Sequence, residues 1–150
     1  MLKQQDADWL ISLPKLKISD EIHQFVPGAK MIIFLKSEKA PSEEFILDVQ
    51  GNSVKLSKMT FQKRVRKSVG LVRLDIDGPP HTNPDGTVVP CPHIHIYRES
   101  YELKWAYPVG NMPNGKAIQL QKNMFANLEQ FFGFCNIVEP PLIQGGLFGL

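Results

Sequence analysis

LVRLDIDGPPHTNPDGTVVPCPHIHIYRE, residues 71–99, places two alternating apolar–polar segments on either side of a loop rich in proline and glycine. In the first, Val72, Leu74 and Ile76 alternate with Arg73, Asp75 and Asp77, as in a strand with one buried face. In the second, residues 93–98, an extended backbone puts His93, His95 and Tyr97 on one face and Ile94 and Ile96 on the other. An antiparallel pair of these strands with Asp77 opposite His93 also sets Asp75 opposite His95 and Arg73 opposite Tyr97. Pro79, Pro80, Pro84, Pro90 and Pro92 stiffen the loop, and Asn83-Pro84-Asp85-Gly86 is a turn sequence. His81 is therefore expected to be held over the two strands.

Upstream, residues 30–35, 44–49 and 54–59 read as strands, the last two joined at Gly51-Asn52, so the chain begins an antiparallel meander. Residues 60–68 are ambiguous. A strand groups Gln62, Arg64 and Arg66, whereas a helix groups Phe61, Val65 and Val69. Downstream, residues 102–107 read as another strand. At the chain ends, Trp9, Leu10 and Leu13 share a side of a short helix over 5–13 that Pro14 stops, and Leu120, Met124, Leu128, Phe131 and Phe132 mark an amphipathic helix over 120–134. The expected architecture is α+β: a curved antiparallel sheet of about six strands, partly closed into a barrel, with an N-terminal and a C-terminal helix.

The 150 residues are 43% hydrophobic and 21% charged, the make-up of one globular domain able to bury a core without metal or disulfide staples. No apolar run approaches the ~20 residues that span a bilayer, and Asp6 and Asp8 precede any apolar stretch, so no membrane is expected and a cytoplasmic location is the default. Cys91 and Cys135 lack metal-type pair spacing and are expected to be reduced. Residues 138–150 form an apolar tail whose last eleven residues carry no charged side chain. It packs back on its own domain or docks on a protein partner.

The formal charge of +2 conceals an asymmetry. Lys55, Lys58, Lys63, Arg64, Arg66, Lys67 and Arg73 give residues 51–73 a charge of +7 with no acid, leaving −5 on the rest. Such concentration points to an anionic partner, of which nucleic acid is the commonest. The nucleic-acid-binding candidates are Lys58, Lys63, Arg64, Arg66, Lys67 and Arg73.

The catalytic candidates are His93, His95, Asp75, Asp77 and His81. Two aspartates beside two histidines can orient imidazoles as a proton-transfer pair. With arginines on the phosphate, that set permits metal-independent attack of an RNA 2′-hydroxyl on its own phosphate, with no cofactor. The same histidines, completed by Asp77 or Asp85, admit a metal site, and His-X-His also occurs as plain structure. A further alternative is a ligand- or peptide-binding surface of Tyr97, Trp105 and Tyr107.

RLDIDGPPHTNPDG, PHIHIYRE and KWAYP, with SKMTFQKR and FILDV upstream, resemble a bacterial family of about this length that carries a domain of unknown function. The resemblance spans about residues 43–108 and implies a group rather than an activity. A fold-level similarity to small barrel-like endoribonuclease toxins involves Lys58, Thr60 and Arg64. Together these readings make a small RNA-acting protein, such as a ribonuclease of a toxin–antitoxin or defence system, the first expectation. The alternatives are a non-catalytic binding module of a protein complex and a histidine-based metal protein.

Overall fold

A computed structural model describes residues 1–62 and 64–145. Helix α1 (Gln4–Ser12) leads into β1 (Lys15–Lys17), β2 (Ile22–Phe25), β3 (Met31–Lys36), β4 (Phe45–Val49), β5 (Ser53–Gln62) and β6 (Val65–Asp75). Two short strands, β7 (His81–Thr82) and β8 (Val88–Val89), precede β9 (His93–Ile96) and β10 (Ala106–Pro108). Then come α2 (Met124–Phe134), β11 (Ile137–Glu139) and β12 (Leu142–Gly145). The α+β class and the antiparallel meander are as expected.

The main sheet has eight strands in the order β10-β9-β6-β5-β4-β3-β1-β11, antiparallel throughout except for the parallel β1–β11 pair. The expected partial barrel does not close. Its outermost strands, β10 and β11, do not pair with each other, and each has only three residues. Pro108 at the end of β10 also lacks a ladder donor.

One face of the sheet carries Ile33, Leu35, Phe45, Leu47, Val54, Leu56, Leu74 and Ile94, all nearly or fully buried, in one core with residues of both helices. In α1 the buried residues are Ala7 and Leu10, continued by Leu13 just past the helix; Trp9, expected beside Leu10, is instead 49% exposed. Helix α2 starts at Met124 rather than Leu120, because the Asn123 side chain caps it by accepting from the Phe125 N–H at 2.8 Å. It lies near the C-terminus, as expected, with two short strands after it. β12 pairs parallel with β2, which places residues 142–145 of the apolar tail against their own domain. Residues 146–150 lie outside the described residues.

Lys15 is fully buried, and its Nζ donates to the carbonyls of Ile11, Leu13 and Cys135, each at 2.8 Å. Burial pulls its pKa down to about 8 against the raising influence of Cys135, whose own thiol burial pushes up to about 12. One cation thereby ties the exit of α1 to the exit of α2.

The ambiguous segment 60–68 is neither an isolated strand nor a helix. It is the end of a long β5–β6 hairpin that turns at Arg64, where φ is 67°. A bulge at Leu56/Ser57 leaves Leu71 unpaired, and Leu71 and Val72 are both fully buried. The expected strand over 102–107 shrinks to Ala106–Pro108, because Ser100 and Glu102 take positive φ in tight turns.

Candidate functional site

Residues directly opposite one another on neighbouring strands project from the same face. Across the open face of the sheet, Asp48 stands opposite Lys55, Lys55 opposite Arg73, and Arg73 opposite His95. In the adjacent row, Ser53 stands opposite Asp75 and Asp75 opposite His93. The expected register, Asp77 opposite His93, is therefore displaced by two residues. A two-residue slip keeps every side chain on its face, so the alternation pattern is the same in both registers. Asp75 replaces Asp77 as the partner of His93, and Arg73 faces His95 rather than Tyr97. Tyr97 leaves this face altogether: it is buried, and its hydroxyl donates to the Leu2 carbonyl.

Asp75 Oδ2 lies 3.1 Å from His93 Nε2, 3.2 Å from His95 Nε2 and 3.2 Å from Arg73 Nη2, while its Oδ1 accepts from Arg73 Nε at 3.0 Å. The two imidazoles are almost wholly buried. His93 Nδ1 donates to the Val89 carbonyl at 3.1 Å and His95 Nδ1 to the Leu103 carbonyl at 2.6 Å. Burial pushes the Asp75 carboxyl up. The contact with His95 and the charge and hydrogen bonds of Arg73 outweigh it, holding the pKa at about 2.

His81 joins the cluster as expected. Its ring centroid is 4.6 Å from that of His95 and 6.0 Å from that of His93, and its Nε2 donates to the Lys104 carbonyl at 2.7 Å. Asp77 borders the same pocket, with its Oδ1 accepting from the Gly78 N–H, and touches neither histidine of β9 among the hydrogen bonds described. Asp85 accepts from the Thr87 N–H and serves the turn. Asn83 exchanges two hydrogen bonds with the backbone of Ala106, which fastens the loop to β10. The pocket above the cluster has a volume of about 490 Å³, and Lys30, Lys55 and Asp48 form its far wall. Cys91 borders it too; its thiol donates to the Pro79 carbonyl at 3.7 Å, and burial, with Asp75 and Asp77 nearby, pushes its pKa up.

The basic candidates divide into two groups. Arg73 belongs to the histidine cluster. Lys58, Arg64, Arg66 and Lys67 belong to the far end of the hairpin, where Lys58 pairs with Glu43 at 3.1 Å and Arg66 with Glu44. From Arg66 to Arg73 the strand runs roughly 20 Å at ~3.3 Å per residue, so the two arginines cannot hold one phosphate. Arg64 and Lys67 are exposed, and Lys63 lies outside the described residues.

Lys30, Lys55, Asp48 and the three carbonyls that hold the imidazoles had no signature as site residues in the sequence. The alternation of β4 and β5 could have put Asp48 and Lys55 on the histidine face, given the strand order. The aromatic surface imagined from Tyr97, Trp105 and Tyr107 is divided. Tyr97 and Tyr107 border a separate cavity of about 800 Å³ beside α1, whereas Trp105 stacks under Arg98 at 4.2 Å.

Among the described residues, no helix is long and apolar enough to cross a membrane. Residues 2–137 match the model of a protein family described as Family of unknown function (DUF6978). That span reaches well beyond residues 43–108, which carry the resemblance. No curated protein matches the chain, and no solved structure does.

Proposed function

We propose that this chain, which belongs to the DUF6978 family of unknown function, is an RNA-binding protein. The β5–β6 hairpin grips the strand, and the Asp75–His93–His95 pocket presents reactive groups to it. The observation that carries this reading is the two-stranded ribbon beyond Met59 and before Leu71, which no third strand flanks among the described residues. It lies in the stretch with seven cations and no acid. Lys58 and Lys67 project from one of its faces, Arg66 from the other, and Arg64 sits at the turn. Cations on both sides can contact successive phosphates of a single strand that follows the ribbon.

Phe61 is 72% exposed, and a flat apolar ring between cations can stack on an unpaired base. It shares a face with Arg66, Met59, Ser68, Ser57 and Gly70, and that same face continues to Lys55, Arg73 and Asp75. A strand seated on Phe61 would thus lead toward the pocket, about 20 Å away along β5.

The test is fluorescence anisotropy with labelled single-stranded RNA, in chelator, over a salt series. The wild type is expected to bind with an affinity that falls steeply as salt rises. Arg64→Glu/Lys67→Glu is expected to bind at least about tenfold more weakly, with a salt slope shallower by roughly 1.4, from 0.7 per lost phosphate contact. RNA binding that the double variant leaves unchanged would remove the hairpin from the mechanism. Absence of binding by a folded wild type would favour the non-catalytic protein-binding module instead.

A further inference from the structure

We infer that Asp75, His93 and His95 form a three-ligand centre for one divalent first-row transition ion of the Zn²⁺ type, open toward the pocket. The inference rests on these residues and does not depend on RNA binding.

The first support is ligand spacing. The two Nε2 atoms and the carboxylate oxygen lie within 4.8 Å of one another, and the two nitrogen-to-oxygen edges are 3.1 and 3.2 Å. Bonds of ~2.0–2.2 Å to an ion require neighbouring ligands to be about 2.8–3.6 Å apart, from octahedral to tetrahedral angles. The two nitrogen-to-oxygen edges already have that spacing.

The second support is the placing of protons. A carbonyl can only accept, so the Nδ1 atoms of His93 and His95 each carry a hydrogen committed to Val89 or Leu103. A neutral imidazole held this way has its lone pair on Nε2, the atom turned toward Asp75. This backbone orientation of the remote nitrogen is the usual outer support of a metal-binding histidine. His81, next to them, is held in the same way through its Nε2 and Lys104.

A guanidinium can only donate, and Arg73 Nη2 stands 3.0 Å from His95 Nε2 and 3.2 Å from Asp75 Oδ2, a cation beside two of the ligand atoms that an ion would replace there. Arg73 would keep its Nε bond to Asp75 Oδ1 and so orient the carboxylate from outside.

Two imidazoles and one carboxylate suit Zn²⁺, Co²⁺, Fe²⁺ or Mn²⁺ rather than Ca²⁺ or Mg²⁺. Cys91 is not needed as a ligand. Three protein ligands leave the ion positions for water or a phosphate oxygen from the pocket, as in catalytic rather than structural sites.

The experiment is titration of the chelator-stripped full chain with Co²⁺, followed by visible absorption, and with Zn²⁺, followed by calorimetry. One ion per chain is expected, with ligand-field bands distinct from those of aqueous Co²⁺. The bands should be lost in His93→Ala and His95→Ala, while His23→Ala, outside the cluster, keeps them. Because a buried histidine variant can unfold, the wild type is also followed by ¹⁵N NMR of its imidazoles. Both β9 histidines are expected as Nδ1–H tautomers whose Nε2 signals move on adding Zn²⁺. A cobalt spectrum that stays that of the aqueous ion, or Nε2 signals that do not move, overturns the inference. Since ion uptake is read without RNA and RNA binding in chelator, either reading can fail while the other stands.

Discussion

At the base of the β5–β6 hairpin, Val54, Leu56, Val72 and Leu74 are buried, and the opposite face carries the histidine cluster and its pocket. At the tip, Phe61 is 72% and Val65 53% exposed. The same two strands therefore offer two environments. Four strands and a loop meet at the base, where side chains can be held in a single geometry. The tip has one neighbour per strand and acids only at its root, so it can adjust to a partner. Precise positioning needs packing from several sides, and adaptable charge contact needs its absence.

The largest expected contrast comes from truncating an apolar side chain at each end. Leu74→Ala should cost about 2–5 kcal/mol through lost burial and a residual cavity, read as a lower midpoint in urea unfolding. Phe61→Ala, a larger truncation, should stay within about 0.5 kcal/mol because its ring is already in water. Equal losses would mean that the tip packs on something and would end the contrast.

The junction is next. A Cβ on Gly70 would stand 2.4 Å from Leu103 Cδ1, and the Leu103 carbonyl holds His95 Nδ1. Gly70→Ala should therefore lower stability by about 1–3 kcal/mol as the neighbour is pushed aside. It should also disturb the His95 imidazole signals, whereas Ser68→Ala, two residues nearer the tip, should not.

The smallest of these effects depends on pH. The Asp75 carboxyl is held at about 2 in the folded protein, against 3.8 for the free group. Between those values the unfolded chain binds the extra proton, so unfolding free energy rises with pH there. The contribution is present above 3.8 and is lost as pH falls toward 2. It amounts to at most roughly 2 kcal/mol, less the share screened by solvent at the pocket mouth. Asp75→Asn should remove this slope from the difference between the two stability–pH curves. Parallel curves would mean that the carboxylate is not held by its neighbours.

Much of the site was legible along the chain because alternation assigns faces. Asp75, His93 and His95 were assigned to one surface from their even spacing, and His81 to the loop above it. The pairing was not legible, since a slip of two residues leaves every face unchanged and the fifteen-residue loop 78–92 does not enforce one register. The basic segment resisted reading because residues 60–68 fit a strand and a helix period alike, and its face relative to the site was hidden by the bulge that leaves Leu71 unpaired and shifts β6 from even to odd numbering on the same face. Arg66, Ser68 and Gly70 thus align with Arg73 and Asp75. Trp9 and Leu120 were misplaced for another reason: helix ends and orientation are set by caps such as Asn123 and by what lies beneath, not by apolar count.

Composition and local periodicity were sufficient for the α+β class, the meander, the two helices and the concentration of charge, because these follow from how neighbouring residues share water and backbone. Long-range pairing supplied the rest. The backbone carbonyls of Val89, Leu103 and Lys104 aim three imidazoles, Lys15 is buried by carbonyls up to 120 residues away, and β12 is taken up by β2. Such contacts depend on how strands and loops are placed and involve backbone atoms common to every residue, so no local pattern in the sequence records them.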